Sequence, residues 1–377
     1  MTWREISAEE MVALKRVVLI DVRSPCEYQA EHIPGAINIP LFTDQEREII
    51  GTVYAREGEL VARRQALRLI SPKIADLVDE IAAKKGHDTL VVHCWRGGLR
   101  SEAVVSCLSI VGVDAYRLTG GYKAFRKMVV NQFETFDYPF EFVVLHGHTG
   151  VGKTEILDEL AVLGLPVVDL EKLANHRGSV FGALGLGEQP SQKNFDSVLW
   201  KLVRELTGLV FAEAEGRKLG RVSLPDFILE RLNRGRRILV TGKTAVRARR
   251  IVKDYARFAA SIDKEIDDYH QMPLSDTFMK QAKQALVSIK DGLGGKKMLE
   301  VDRLATAGDV QGAVEVLLAD YYDRYYQRQI DQFAPYELTV CGDEPGEAAK
   351  EIASWLKKFP KKNFPSNVEG EEHVVVD

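Results

Sequence analysis

The chain has 377 residues, of which 45% are hydrophobic and 28% charged, so it is long enough for two domains with their own cores and is not expected to be disordered. Its net charge of −4 excludes a chain coated in positive charge but leaves room for a local basic surface that meets a polyanion. No apolar run approaches the roughly 18 residues of a membrane helix, and the first residues lack the apolar core of a signal peptide.

The first predicted strand is the apolar segment Arg16–Arg23, followed by a turn and short helix at Ser24-Pro-Cys-Glu-Tyr28. The segment His32-Ile-Pro-Gly-Ala-Ile-Asn-Ile-Pro40 comes next. A second buried strand is predicted at Thr89-Leu-Val-Val92. These segments are the parts of an α/β domain that precede the most informative loop in the chain.

That loop is His93-Cys-Trp-Arg-Gly-Gly-Leu-Arg-Ser101, and helical spacing follows it from Glu102 to Val111. A cysteine in a strand–loop–helix turn lies where backbone N–H groups and the positive end of the helix dipole converge, and both favour a thiolate. Arg96 and Arg100 add positive charge, and the two glycines let the backbone curl around an anion. We therefore predict that Cys94, Arg96 and Arg100 form a catalytic, anion-holding loop.

Together, these segments resemble the rhodanese domain over about residues 1–130. The resemblance implies that Asp21 and Arg23 are structural partners near the loop, and we interpret His32 as a packing histidine. The same loop also satisfies the pattern His-Cys-x5-Arg-Ser of cysteine-dependent phosphatases, which is a rival interpretation. Cys26 and Cys107 have no such loop, and the four cysteines lack the paired spacing of a zinc site or disulfide framework, which favours a reducing cytoplasm.

After a linker predicted at Phe133–Pro139, an apolar strand at Phe140–Leu145 leads into Gly147-His-Thr-Gly-Val-Gly-Lys-Thr154 and a helical pattern. This is the P-loop motif Gly-x4-Gly-Lys-Thr, and it lies between a strand and a helix, as the motif requires. Its N–H groups surround a diphosphate or triphosphate, the lysine neutralises it, and the threonine can hold Mg²⁺. The predicted phosphate-binding residues are Gly147, Gly150, Gly152, Lys153 and Thr154.

Three further groups of residues follow the P-loop. Asp169 and Glu171 are candidate carboxylates for Mg²⁺ together with Thr154, although either could cap a helix. The stretch from Asn175 to Lys193 is too long for a plain connection and is typical of a lid or substrate loop. The candidate substrate residues in this stretch are His176, Arg177 and Ser179.

A basic segment surrounds the predicted strand Ile238–Thr241, with nine basic residues between positions 231 and 253. This excess favours a polyanion surface. Some of these arginines could instead face a diphosphate inside the P-loop site. The candidate tRNA-binding residues are Arg217, Lys218, Arg247, Arg249 and Arg250.

The order of a rhodanese-like domain (residues 1–135), a P-loop NTPase-like domain with a helical C-terminal part (136–356) and a flexible tail (357–377) is unusual. In this arrangement the chain resembles the tRNA 2-selenouridine synthase family. It departs from the family pattern at Gly216, where serine is common, and at Glu31, where glycine is common. The segments that carry the resemblance are Asp21-Val-Arg-Ser-Pro25, Glu46-Arg47, Gly51-Thr-Val-Tyr54, Cys94 to Ser101, Gly147 to Thr154, His176 to Gly182, Glu213-Ala-Glu-Gly-Arg217 and Tyr321-Tyr-Asp323.

The resemblance implies replacement of sulfur by selenium in wobble 2-thiouridine of tRNA, with selenophosphate from a selenophosphate synthetase as donor. It also implies an S-geranyl intermediate made from geranyl diphosphate, whose diphosphate the P-loop would bind. No tightly bound cofactor is expected, and Mg²⁺ could take part through Thr154 and Asp169. Two alternatives stay open: a small-molecule sulfurtransferase or phosphatase with a nucleotide-binding P-loop domain, and a small-molecule kinase fused to a sulfur-carrier domain. The sequence leaves the tRNA set and the oligomeric state undetermined.

Overall fold

The computed structural model describes residues 3–178, 182–183, 186–262 and 293–359. The chain divides into two compact units. The first contains Met1–Phe136 together with Ser191–Lys201, and the second contains Asp137–Pro190 and the chain from Leu202 onwards. Within the described residues, no helix has the length and apolar character needed to cross a membrane.

The first unit is built on a five-stranded sheet in the order β1-β5-β4-β2-β3, and every pairing is parallel. Strand β4 is therefore central, and its Leu90, Val91 and Val92 are all at most 1% exposed. Such a continuous apolar run is expected for a parallel strand that is covered on both faces. The strands of this sheet are β1 (Arg4–Ile6), β2 (Val17–Asp21), β3 (Ile37–Asn38), β4 (Thr89–His93) and β5 (Tyr116–Leu118).

The second unit has a separate five-stranded parallel sheet in the order β12-β11-β6-β8-β7, with β6 at its centre. An antiparallel pair, β9 and β10, lies outside this sheet. The strands are β6 (Phe140–His146), β7 (Val167–Val168), β8 (Gly208–Glu213), β9 (Lys218–Leu219), β10 (Val222–Ser223), β11 (Arg236–Thr241) and β12 (Leu338–Cys341).

Helices cover both sheets, and we number them through the described residues. Up to the P-loop they are α1 (Ala8–Val12), α2 (Pro25–Ala30), α3 (Asp44–Glu57), α4 (Glu59–Ile70), α5 (Ile74–Lys85), α6 (Leu99–Ile110) and α7 (Gly121–Thr135). From the P-loop onwards they are α8 (Lys153–Val162), α9 (Leu170–Ala174), α10 (Gln192–Val203), α11 (Asp226–Arg234), α12 (Thr244–Ile262), α13 (Gly295–Thr306), α14 (Val310–Leu317), a π-helical turn (Leu318–Tyr322), α15 (Asp323–Phe333) and α16 (Pro345–Leu356).

Each face of the first sheet has its own apolar core. Val92 and the α6 residues Val104 and Leu108 belong to one core. On the other face, Val91 packs in the same cluster as Phe125 of α7 and Trp200 of α10. Helix α10 follows the P-loop in sequence but belongs almost entirely to the first unit, so contacts and not chain order decide its place.

The expected α/β class, the parallel sheets and the helical C-terminal part are confirmed. The linker predicted at 133–139 is confirmed in part. The two units divide between Phe136 and Asp137, but α7 continues to Thr135 and Tyr138 is only 2% exposed. Strand β7 is limited to Val167–Val168, because Asp169 begins helix α9 as its N-cap. Most of the predicted tail, residues 360–377, lies outside the described residues.

Candidate functional site

Cys94 directly follows the central strand of the first sheet and lies just before helix α6. Its side chain is buried, at 3% exposure. The sulfur lies 3.3 Å from Ser101 Oγ and 3.9 Å from the carbonyl oxygen of Gly98. Gly98 is the N-cap of α6, so the loop ends at the positive end of this helix, whose first N–H groups lack intrahelical partners. The geometry thus fits the predicted anion-holding loop.

A glycine turn at the start of α7 closes over this loop. The N–H of Tyr122 donates to the carbonyl of Cys94 at 2.9 Å, and the N–H of Lys123 donates to Trp95 at 3.0 Å. Gly121 has φ +57°, and a Cβ there would lie 2.2 Å from the carbonyl oxygen of Cys94. Only glycine tolerates both the left-handed conformation and this close approach. The turn holds the backbone of Cys94 and Trp95 in one position.

The two arginines of the loop differ in environment. Arg96 is exposed, so its charge is available to an incoming anion. Arg100 is held by Glu27, with Nη1 2.5 Å from Oε2 and Nη2 3.1 Å from Oε1. Glu27 lies on α2, so the ion pair joins this helix to the catalytic loop. An anion near Cys94 would therefore meet the charge of Arg96 directly and that of Arg100 only in competition with Glu27.

Beneath the loop lies a buried ion pair, as the resemblance implied. Asp21 and Arg23 are both 0% exposed, and Arg23 Nη2 lies 2.6 Å from Asp21 Oδ2. The guanidinium carbon of Arg23 is 4.6 Å from the centre of the Tyr122 ring, so the pair also supports the glycine turn. Burial lowers the pKa of the neighbouring His93, which keeps this ring neutral near pH 7.

The other histidine and cysteine expectations are also met. His32 stacks on Tyr28 with ring centres 4.3 Å apart, and its Nδ1 lies 3.0 Å from the Tyr28 carbonyl oxygen. It is a packing residue. Cys26 is exposed, and Cys107 is half-buried beside the core of α6. Neither lies in a loop like that of Cys94.

Helix α10 brings a segment expected in the P-loop domain onto the first unit. Lys193 Nζ is 2.8 Å from Glu31 Oε2 and 5.7 Å from the centre of the Trp95 ring. Arg126 Nη2 lies 2.9 Å from Asp196 Oδ2. The end of the predicted lid, Ser191–Lys193, is thus attached to the rhodanese-like unit, because α10 packs its apolar face there.

The P-loop follows the central strand of the second sheet and ends at α8. Lys153 Nζ donates to the carbonyl oxygens of Gly147 at 3.3 Å and His148 at 3.4 Å. Gly147 has φ +153°, and a Cβ there would lie 2.3 Å from the Val240 carbonyl oxygen on β11. Gly150 and Gly152 also have positive φ. The five predicted phosphate-binding residues therefore lie together in one loop at the end of β6.

Three carboxylates lie beside the P-loop, and two of them were absent from the predicted site. Oxygen atoms of Glu171, Glu213 and Glu215 all lie within 4.8 Å of one another. Thr154 Oγ1 donates to Glu213 Oε1 at 2.7 Å. Burial raises the pKa of all three carboxyl groups, and repulsion from Glu213 adds to the pKa of Glu171 and Glu215. The signal for Glu213 and Glu215 was an acidic pair at the carboxyl end of an apolar strand, where ligands of parallel sheets bind.

The expectation that Asp169 assists Thr154 at a metal does not match its position. Asp169 Oδ1 accepts a hydrogen bond of 2.8 Å from the N–H of Lys172 and caps α9. Glu213 occupies the place beside Thr154 instead. As an N-cap, the short Asp169 side chain binds the backbone of its own helix. Glu213, at the end of strand β8, is the carboxylate that reaches Thr154.

Two of the three candidate substrate-loop residues are described. His176 Nδ1 accepts from the N–H of Gly178 at 3.1 Å, and the N–H of Arg177 donates to the carbonyl of Gly182 at 3.1 Å. A Cβ at Gly178 would lie 2.2 Å from Glu171 Oε1. This loop therefore passes directly over the carboxylate group. Ser179 lies outside the described residues.

The basic segment is not a single surface. Arg247 is 3% exposed, with Nη1 and Nη2 3.0 and 2.5 Å from the carboxylate of Asp323 and Nε donating to Thr149 at 2.9 Å. Arg250 donates to the carbonyl oxygens of Gly150 and Gly342 at 2.8 and 2.9 Å. The prediction of tRNA contact is therefore wrong for Arg247, because it is buried. Both arginines hold the backbone of the P-loop.

The remaining three basic candidates are exposed. Arg249 and Lys218 lie on the surface, and Arg217 forms an ion pair of 2.7 Å with Asp226 while its side chain stays 64% exposed. Such an exposed pair contributes little to stability and can be exchanged for a phosphate contact. These three residues stay predicted tRNA-binding positions.

A parallel sheet with a cysteine loop after its central strand, and a second parallel sheet with a P-loop after its own, define a protein of the rhodanese and P-loop classes. The model of the family described as "tRNA 2-selenouridine synthase AAA domain" matches residues 140–362, and that of the rhodanese-like domain matches residues 7–128. The chain belongs to the tRNA 2-selenouridine synthase family.

Full-length relatives agree with this assignment. A tRNA 2-selenouridine synthase of Cupriavidus necator is 31% identical over 361 residues, covering 91% of this chain and 95% of its own. One from Sulfurovum sp. is 31% identical over 369 residues, covering 92% and 96%. One from Nitrosomonas europaea is 30% identical over 355 residues, covering 85% and 92%.

Proposed function

We propose that this protein replaces the sulfur of wobble 2-thiouridine in tRNA with selenium from selenophosphate, by way of an S-geranyl intermediate made from geranyl diphosphate. The observation that carries this proposal is the presence of two separate anion-binding loops in one chain, one with a buried cysteine and one with a lysine. Two phosphate-bearing donors would need two such loops. The relatives named tRNA 2-selenouridine synthase support the overall reaction.

The P-loop is the proposed site of the prenyl donor. Lys153 would exchange its bonds to the Gly147 and His148 carbonyl oxygens for the diphosphate, whose charge it neutralises. The tRNA sulfur then attacks C1 of the geranyl group, the carbon–oxygen bond breaks, and diphosphate leaves. Alkylation makes the sulfur a better leaving group in the next step.

Mg²⁺ fits the carboxylate group next to this loop. Glu171, Glu213 and Glu215 offer hard oxygen ligands within 4.8 Å of one another, which is the ligand type that Mg²⁺ prefers. Burial raises the pKa of all three carboxyl groups although the charge of Lys153 lowers it, so a bound cation would favour their ionised form. When bound, Mg²⁺ would neutralise the charge of the diphosphate.

The Cys94 loop is the proposed site of selenophosphate. The N–H groups at the start of α6 and the exposed Arg96 suit a tetrahedral anion, and the Cys94 sulfur lies at the base of this cradle. The selenium would attack C2 of the base, the carbon–sulfur bond would break, and geranyl thiol would leave. Hydrolysis of the phosphorus–selenium bond then gives 2-selenouridine and phosphate.

A second candidate function is phosphoryl transfer from ATP by the P-loop unit. The carboxylate group beside Thr154 favours it, because kinases hold Mg²⁺ with a P-loop hydroxyl and a nearby acid. It would make the P-loop unit a kinase for an acceptor other than tRNA sulfur.

Mass spectrometry of wobble nucleosides tests these functions. We expect S-geranyl-2-thiouridine when 2-thiouridine tRNA is incubated with geranyl diphosphate alone, and 2-selenouridine when selenophosphate is added. Selenouridine formed equally well without geranyl diphosphate would contradict the geranyl route. ATP turnover that depends on an added acceptor, with no change in the tRNA, would favour the kinase.

A further inference from the structure

Helix α3 carries Arg47, Gly51 and Tyr54 at positions i, i+4 and i+7, so these residues share one side of the helix, which we call the α3 face. The Arg47 side chain is 42% exposed and Tyr54 is 58% exposed. Ile50 lies at the edge of this face, four residues before Tyr54, and packs against the core of the first unit. The orientation of the helix is set by that contact and by the capping box of Thr43 and Glu46.

The α3 face begins at the Cys94 loop. Arg47 Nε is 3.7 Å from Glu27 Oε2, and the same carboxylate holds Arg100 at 2.5 Å. Arg100 lies in the first turn of α6, directly after the loop. Seven residues of helix separate Arg47 from Tyr54, a rise of about 10 Å. That length matches two or three stacked nucleotides at roughly 3.4 Å each.

Gly51 leaves the middle of the α3 face open. Glycine inside a helix is less stable than alanine, so its presence needs a reason. A Cβ at Gly51 would meet only the flexible end of Arg47, with Nη1 at 3.0 Å. Packing within the protein therefore does not require glycine here.

The neighbouring helix α4 has the charge that a nucleic acid needs. Of the four basic residues between Leu60 and Ala75, Arg63 pairs with Glu59 and Lys73 with Glu46, so Arg64 and Arg68 carry the positive charge of this surface. Arg64 and Arg68 are exposed at i and i+4 on α4. This surface would attract phosphates, and an exposed tyrosine beside it offers the aromatic platform on which unpaired bases stack.

We propose that the α3 face binds the unpaired nucleotides next to the wobble base, with Tyr54 stacked on a base and Arg47 on a phosphate. Its ligand is thus single-stranded RNA in a loop. The proposal rests on the proposed function, which places the reacting base in tRNA. Tyr54 and Arg47 are positioning residues in this account, since neither touches the reacting atoms.

Binding of a labelled anticodon stem-loop that contains 2-thiouridine tests the proposal by fluorescence anisotropy. Tyr54→Ala should raise Kd by roughly five- to hundredfold, because one base–aromatic stack is lost. Tyr54→Phe keeps the ring and should stay within about twofold. Ile110→Ala, at a 66% exposed position of α6, is the matched control and should leave Kd unchanged. In turnover assays with full tRNA, Tyr54→Ala should raise KM and leave kcat close to the wild-type value.

Gly51→Ala separates binding from stability. The added methyl group should raise Tm, since alanine favours the helix, and it should weaken RNA binding by filling the opening. A purely structural glycine would show the opposite change in Tm.

Unchanged RNA affinity in Tyr54→Ala overturns the inference, even if the wild-type protein makes 2-selenouridine. A change in sedimentation of Tyr54→Ala without a change in RNA affinity would also overturn it, because the face would then join copies of the chain. If the wild-type protein neither binds nor modifies the stem-loop or full tRNA, the proposed function itself fails.

Discussion

The Cys94 loop and the P-loop use the same backbone arrangement for different chemistry. Each follows the third strand of a five-stranded parallel sheet, at β4 and β6, and each leads into a helix whose N-cap is glycine. Each loop also depends on a glycine in close contact with backbone: Gly121 packs against the Cys94 loop, and Gly147 lies within the P-loop. A Cβ on either glycine would lie less than 2.5 Å from a carbonyl oxygen. In both loops, the first N–H groups of the following helix lack intrahelical partners, as in anion-binding helix N-termini.

The side chains around the two loops differ in reactivity and charge. The first loop surrounds a sulfur atom, and its buried support is an ion pair with no net charge, Asp21 and Arg23. The second surrounds an ammonium group and has three carboxylates beside it. Similar backbone geometry suits both loops to an anion, so in the proposed function the neighbouring side chains distinguish the selenium donor site from the diphosphate site. The following changes test this division.

The largest effect is expected for Cys94→Ser. The exchange removes the sulfur and little volume, so formation of 2-selenouridine should be abolished while the fold and tRNA affinity are kept, because a small hydroxyl cannot replace the large, polarizable sulfur at the base of the selenophosphate site. Mass spectrometry of wobble nucleosides measures this. Cys26→Ser and Cys107→Ser are the controls and should stay active. Wild-type selenation by Cys94→Ser would remove the functional distinction between the two loops.

Arg23→Met tests the buried support of the Cys94 loop. It leaves Asp21 buried without its partner, and breaking such a pair typically costs about 3–5 kcal/mol of unfolding free energy. Urea unfolding followed by circular dichroism provides the value. Arg16→Met, whose ion pair with Asp88 is 74% exposed on the arginine side, should change stability by less than ~1 kcal/mol. Equal stability of the two variants would show that the buried pair does not support the loop.

Lys153→Ala tests the second loop alone. Loss of the charged donor should weaken geranyl diphosphate binding on the order of a hundredfold and block geranylation. Selenation of tRNA that already carries the geranyl group should suffer less. Single-turnover assays of the two steps measure the difference, with Lys172→Ala, at an exposed position of α9, as control. Equal loss of both steps would mean that the P-loop serves the whole cycle.

Glu215→Gln tests the carboxylate group through pH. The pKa of Glu215 is raised in the folded protein by burial and by Glu213, so the folded state binds more protons than the unfolded state above the unfolded pKa of about 4.3. Its stabilising contribution is complete below that pH and is lost as pH rises through the raised pKa. Wild-type Tm should therefore fall between pH 6 and pH 9 in metal-free buffer.

The pKa of Glu215 is raised to about 8, about two units above pH 6, so Glu215→Gln should reduce this fall by the equivalent of roughly 2–3 kcal/mol. Glu347→Gln, at an exposed position of α16, should behave as wild type. A pH dependence that is identical in Glu215→Gln and wild type would assign the fall to other groups.

The smallest effect is expected for the basic segment. Arg249 is exposed, so Arg249→Ala should flatten the log–log salt dependence of tRNA binding by at most about 0.7–0.9. Arg250→Ala should leave this slope unchanged and weaken geranyl diphosphate binding, because Arg250 holds the carbonyl oxygen of Gly150. Titrations of tRNA binding over a salt series measure both slopes. A flatter slope in Arg250→Ala would show that Arg250 contacts tRNA after all.

The sequence alone determined the features that depend on residues close together in the chain. The cysteine loop and the P-loop are each formed by one short segment between an apolar strand and a helix, so residue type and spacing were sufficient to predict both. The packing role of His32 was also predictable, because its partner Tyr28 is four residues away and accounts for the ring.

The tertiary structure decided what depends on distant pairs. Arg247 is neutralised by Asp323, 76 residues later, so its burial could not be read from a basic segment. Glu213 reaches Thr154 only because β6 and β8 are adjacent in the sheet. Helix α10 joins the first unit because its apolar face packs there through Trp200. The charge and hydrophobicity of a residue can be read from the sequence. The partner that neutralises the charge or covers the apolar side chain depends on which strands and helices become neighbours.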